Sequence, residues 1–233
     1  MNPAVFQTKF QSDLLTANCS IAHLLEAAGS FVVFVWRGSI RVASVALNVG
    51  NHATSKQASL DLSTLDRTSQ GQPLNTPAES HSVREGAHLV LHVSDGQRGY
   101  YVTLCDHTGH KQLWDSRKLG KGDIFSFLAL VPGEYSVSSS HAAHATMIVS
   151  HSPTPGERQA RRAPVYVKAA ADRFEPAHWS VSGVQPVVIA AGAAATFAVS
   201  LTRAAENTRS KEQMLTMERD RLRQAIAARF GSR

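Results

Sequence analysis

The chain has 233 residues, a hydrophobic fraction of 43% and a formal charge of +6. That apolar content excludes wholesale disorder, and the length allows one large domain or two small ones. The excess charge gathers in a loop (Arg158, Arg161, Arg162) and in a C-terminal segment with Arg209, Arg219, Arg223 and Arg229, so it says little about the folded body.

Cys19 and Cys105 are too few for a disulfide framework, and two separate buried thiols are expected. The N-terminal stretch shows no basic region leading into an apolar one, so no secretory signal is visible and a cytoplasmic or virion-associated location is favoured. The most apolar window, 21–36, contains His23 and Glu26, is broken by Gly29 and runs into Arg37. It is too short and too interrupted for a membrane span.

In chain order, Leu14, Ala17, Ile21, Leu25 and Ala28 recur at helical spacing, with Ser12 or Asp13 as cap and Gly29 as stop. This predicts an N-terminal helical segment over 1–29. His23 and Cys19 have no spacing partner nearby. Residues 31–36 and 40–49 are β-branched and aromatic around Arg37-Gly38-Ser39, which predicts a hairpin. The polar stretch 51–82 predicts a long surface loop with one edge strand at 58–62. Short alternating runs at 88–94, 100–105, 112–115, 124–130, 135–139 and 146–150 follow, separated by Gly, Asp and Pro. That rhythm predicts an antiparallel β-sandwich over 30–150.

A Pro- and Arg-rich linker spans 151–164, and a second β unit, or the remaining strands, fills 165–203. Residues 204–233 read as a C-terminal helix carrying a narrow stripe of Leu215, Leu222 and Ile226, a surface for the protein's own sheet or for a neighbouring subunit. No internal repeat of fixed period is visible. The fold class expected is therefore mainly β: one or two antiparallel sandwiches flanked by N- and C-terminal helices.

No nucleophile elbow, phosphate loop or paired-carboxylate motif stands out, so no catalytic residue is assigned. Two His-x-x-His pairs do stand out, His107/His110 and His141/His144, with Met147 just beyond. Imidazole and thioether together suit copper or zinc, provided the two turns meet in space.

The run PGEYSVSSSHAAHATMIVS resembles the final strand and ligand loop of the cupredoxins. Pro132, Gly133 and Tyr135 match that pattern, and His144 and Met147 lie at offsets resembling its histidine and methionine ligands. Ser139 stands where the family has its copper-binding Cys. The resemblance implies a β-sandwich without a blue-copper centre. Immunoglobulin-like domains use similar Pro-Gly-x-Tyr turns.

The function expected first is that of a non-enzymatic structural or interaction protein, a subunit of a larger assembly such as a virion, appendage or shell. Its partners would be protein subunits, in a homo-oligomer or larger complex; nucleic acid is not favoured. The alternative is a copper- or zinc-binding protein of cupredoxin type.

Overall fold

The computed structural model describes residues 6–71, 73, 76–96, 99–150, 163–182 and 185–204. The fold is mainly β. The first stretch of chain forms β1 (Lys9–Gln11), β2 (Cys19–Leu24), β3 (Gly29–Arg37), β4 (Ile40–Val49), β5 (Gln57–Asp61), α1 (Leu62–Thr68), β6 (Glu79–Val83), β7 (His88–His92), β8 (Tyr101–Asp106) and β9 (Gln112–Asp115). Then come β10 (Ile124–Phe127), β11 (Gly133–Ser139), β12 (His144–Ser150), β13 (Val165–Ala169), β14 (Phe174–Glu175), β15 (His178–Ser182), β16 (Val187–Ala191) and β17 (Phe197–Ala204).

These strands make three sheets around one apolar core. A first five-stranded sheet has the order β6-β4-β3-β8-β9, and a second has β1-β17-β11-β12-β15. A long seven-stranded sheet, β14-β13-β16-β10-β2-β7-β5, runs along both. From β4 to β8 the chain alternates between the first sheet and the long one. Consequently β4 lies parallel to β6, and β5 parallel to β7. Such coiling is the winding of a β-solenoid rather than the hairpin-by-hairpin path of an antiparallel sandwich.

The same winding occurs twice. In the first half β3 pairs antiparallel with β4 and β8, β8 with β9 and β2 with β7, while β4–β6 and β5–β7 are parallel. In the second half β11 pairs antiparallel with β12 and β17, β17 with β1 and β10 with β16, while β12–β15 and β13–β16 are parallel. Each of these six ladders has its counterpart with the same sense; among the described residues only the short β13–β14 ladder, where the first half has α1, lacks one. The registers agree too: Val33 faces Val45 and Leu104, and its counterpart Val137 faces Ala145 and Val199.

Even the backbone exceptions coincide. Gly29 and Gly133 open the matching strands β3 and β11 at φ +153°, a region that side chains disfavour. The lane that β9 occupies beside β8 is filled in the second half by β1, so the N-terminal strand closes the far end of the repeat.

The halves join where β2 pairs antiparallel with its own counterpart, β10. Ile21 lies opposite Phe125, the residue that matches it, with Ser20 opposite Ser126 and Ala22 opposite Ile124. A ladder that maps onto itself when the halves are exchanged marks a pseudo-twofold axis at Ile21–Phe125. The repeat boundary therefore falls at 116–123.

Several expectations need correction. The helix expected before residue 29 is absent among the described residues: Leu15, Ala17, Cys19 and Ile21 are buried with period two, while Leu14 and Ala28 are exposed. The strand period wins because alternate side chains, not every third or fourth, reach the core. The antiparallel sandwich gives way to mixed, coiled sheets. The supposed loop 51–82 contains β5, α1 and β6, and β5 does lie at a sheet edge as expected. The repeat is not visible in the sequence because a strand constrains which residues are apolar, not their identity. The C-terminal helix expected over 204–233, and with it Leu215, Leu222 and Ile226, lies outside the described residues after Ala204, as does most of the linker 151–164.

Candidate functional site

The inter-half ladder is flanked by two symmetry-related clusters. On one side Phe127 of β10 stacks on Phe10 of β1, ring centroids 5.2 Å apart, with Cys19 of β2 paired opposite Phe127. The other side holds the matching positions, but there the residues are His23 of β2, Trp114 of β9 and Asp123 just before β10. His23 stacks on Trp114 at 4.2 Å. One junction is dry; the other is polar.

Asp123 is the centre of the polar junction. Its side chain is only 3% exposed and accepts hydrogen bonds from three elements. His23 Nδ1 donates to Oδ1 at 2.7 Å, while Trp114 Nε1 (2.8 Å) and the Gly120 backbone N–H (2.7 Å) donate to Oδ2. Three donors compensate the cost of burying a carboxylate, and together they fix the 116–123 connection against β2 and β9. With Nδ1 bonded to the carboxylate, Nε2 is the ring nitrogen left over, and in the Nδ1–H tautomer it is a hydrogen-bond acceptor. No described residue bonds that nitrogen.

Beside this cluster lies a cleft of about 240 Å³ between the long sheet and the first five-stranded sheet. Its walls come from Leu25, Phe31, Leu104, Leu113 and Trp114, its polar groups from His23, Asp123, Glu26 and Lys121. The His23 side chain is 19% exposed, within reach of a small molecule in the cleft.

Elsewhere the polar groups are engaged in holding the fold. Asp61 caps α1 by accepting from the Ser63 and Thr64 backbone N–H groups, and it accepts from the Ser63, Thr64 and Ser94 hydroxyls. Partial burial raises its pKa, but the bonds from Ser63, Ser94 and Thr64 outweigh that and hold the carboxyl far below the usual range. Buried Asp66 takes Arg37 at 2.5 Å and the Tyr100 hydroxyl at 2.9 Å. Asp106 organises the β8–β9 turn through Thr108, His110 N and Lys111 N. Cys19 is a free, buried thiol pushed up to about 12 by desolvation; Cys105 is free, buried and raised for the same reason.

The sequence-predicted metal residues are not brought together by any ladder. His107 and His110 lie in the β8–β9 turn on the first five-stranded sheet; His141 and His144 lie at the β11–β12 hairpin on the second. His141 Nε2 donates to the Ala194 carbonyl at 2.6 Å, and His144 begins β12 in the open. Met147 is fully buried at the core position that Leu47 fills in the first half. Among the described residues no group of three or more His, Cys, Asp or Glu side chains could hold a metal ion.

His23 and Asp123 stand a hundred residues apart, so neither shows a partner in the sequence. Only one local signal pointed at them: an acid directly ahead of an apolar strand, in the Gly120-Lys121-Gly122-Asp123 turn. No family model matches the chain, and no curated protein or solved structure is significantly similar to it. Among the described residues, no helix is long and apolar enough to cross a membrane.

Proposed function

We propose that this chain is a non-enzymatic structural or interaction protein that serves as a subunit of a larger assembly. One observation supports this reading above the others: among the described residues, the buried carboxylates and both thiols are engaged in building the scaffold or shut inside it. Asp61, Asp66, Asp106 and Asp123 each bind two or more donors within the fold. A carboxylate whose oxygens are taken up by donors within the fold is poorly placed to shuttle protons to a substrate, and a buried thiol with a raised pKa is a poor nucleophile. What remains is a duplicated β body with one continuous sheet as its spine, a form suited to presenting surfaces to other proteins.

The test is the size of the purified protein in solution together with its metal content. A metal-free oligomer, or a stable complex with another protein subunit, is expected. A monomer carrying stoichiometric copper or zinc would replace this reading with the metal-binding one.

A further inference from the structure

We propose that the cleft beside His23, Asp123 and Trp114 binds a small, uncharged, phenol-like molecule: an apolar ring bearing one hydroxyl that donates to His23 Nε2. This goes beyond the scaffold reading and does not depend on it, since a subunit of any assembly could hold such a ligand.

The pseudo-twofold axis singles the site out. The equivalent junction is closed by Phe10, Phe127 and Cys19, all at most 5% exposed, so the duplicated fold needs neither a polar cluster nor a cleft at this point. Where the second half seals the junction with two phenylalanines, the first half has an imidazole on an indole, a buried carboxylate behind them and space in front. A structural role alone would be met by the apolar version, which the same molecule contains.

The chemistry of the cleft narrows the ligand. Phe31, Leu113 and Trp114 offer an apolar and aromatic surface, which favours a ring over a sugar or a polar metabolite. Asp123 engages Nδ1, so Nε2 is the nitrogen left for the ligand, and in the Nδ1–H tautomer that Asp123 favours it accepts a hydrogen bond. The Asp123 carboxylate behind the ring disfavours an anion, and the other charged residues of the lining, Glu26 and Lys121, are of opposite sign. The volume suits a single ring with short substituents.

The experiment titrates the full-length protein with p-cresol and, as the shape-matched control without a hydroxyl, toluene. Binding is followed by calorimetry and by the ring 15N resonances of His23. Saturable one-to-one binding of p-cresol is expected, with toluene at least about fivefold weaker, the scale of one net hydrogen bond. The His23 Nε2 signal should shift with p-cresol and not with toluene. His23→Phe copies the residue of the dry junction and should abolish the preference for p-cresol. Should that variant fail to fold, the wild-type ratio and the His23 shift still decide. Equal binding of the two probes, binding that leaves His23 unshifted, or no binding up to about 10 mM would each overturn the proposal.

Discussion

The two junctions flanking the β2–β10 ladder occupy the same place in two copies of one winding, yet they are built from opposite materials. Phe10, Phe127 and Cys19 join the sheets by excluding water. Trp114, His23 and Asp123 join them by a shared carboxylate and a stacked imidazole. Both hold the same backbone in the same register. The topology therefore does not dictate the side-chain chemistry at this point; it requires only that the junction be filled, by apolar volume or by mutually satisfied polar groups. Burial of two full rings predicts that the dry version contributes more to stability, whereas the polar version leaves a cleft and an open nitrogen.

That contrast can be broken by truncating one residue from each side. Phe127→Ala removes a fully buried ring and its partner's stacking surface, and should destabilise the protein by about 4 kcal/mol. The matching change, His23→Ala, removes a partly exposed side chain and one of three donors to Asp123, and should cost about 1–2 kcal/mol. Urea unfolding of the two variants measures both. Equal losses would mean that the polar junction bears as much of the fold as the dry one.

The matched glycines offer a finer contrast. Both sit at φ +153°, so any side chain is strained there. A Cβ on Gly133 would overlap the carbonyl oxygen of Arg203 and come within 2.6 Å of Leu201 Cδ1, so backbone as well as side chain must move. On Gly29 it would meet only the end of the Phe31 ring, at 3.2 Å. Gly133→Ala should therefore cost about 3 kcal/mol and Gly29→Ala about half that, by the same unfolding measurement. Reversal of that order would show that the β11–β17 ladder yields more easily than its close contacts imply.

These matched positions also show what could and could not be read from the chain. Runs such as 31–36, 40–49 and 135–139 were legible as strands because β-branched residues and flanking glycines act locally. The segment 12–28 misled, since Leu14, Ala17, Ile21, Leu25 and Ala28 satisfy helical spacing while the buried set, Leu15, Ala17, Cys19 and Ile21, satisfies the strand period. Both patterns coexist in one segment, and only its neighbours β7 and β10 select between them. The repeat was hidden because equivalent positions hold Trp and Phe, His and Phe, or Leu and Met. The site was hidden for the same reason in reverse: His23, Trp114 and Asp123 become a cluster only once two halves of the chain are paired. The histidine pairs that drew attention were local in sequence, and locality is a poor guide where strands alternate between sheets.

The smallest contrast concerns the segment after the matched strands β5 and β13. In the first half Asp61 starts α1 there; its counterpart in register is Lys168, and β14 follows instead. The carboxylate of Asp61 is thus a feature of one half only, and its effect can be isolated by pH. Its folded-state pKa is depressed, because the Ser63, Ser94 and Thr64 bonds outweigh the burial that opposes them. The sign follows: its stabilisation is fully present above the ordinary carboxyl pKa of about 4 and is lost as the pH falls below that value toward the depressed one. Asp61→Asn should cost about 1–2 kcal/mol near neutrality, from the helix cap and the Ser94 bond, and the gap to wild type should narrow steadily below about pH 4. Urea unfolding of both proteins between neutral and acid pH follows that gap. A gap that stayed constant through the acid range would mean that the shape of the Asp61 side chain, not its charge, ties α1 to the start of the 94–96 turn.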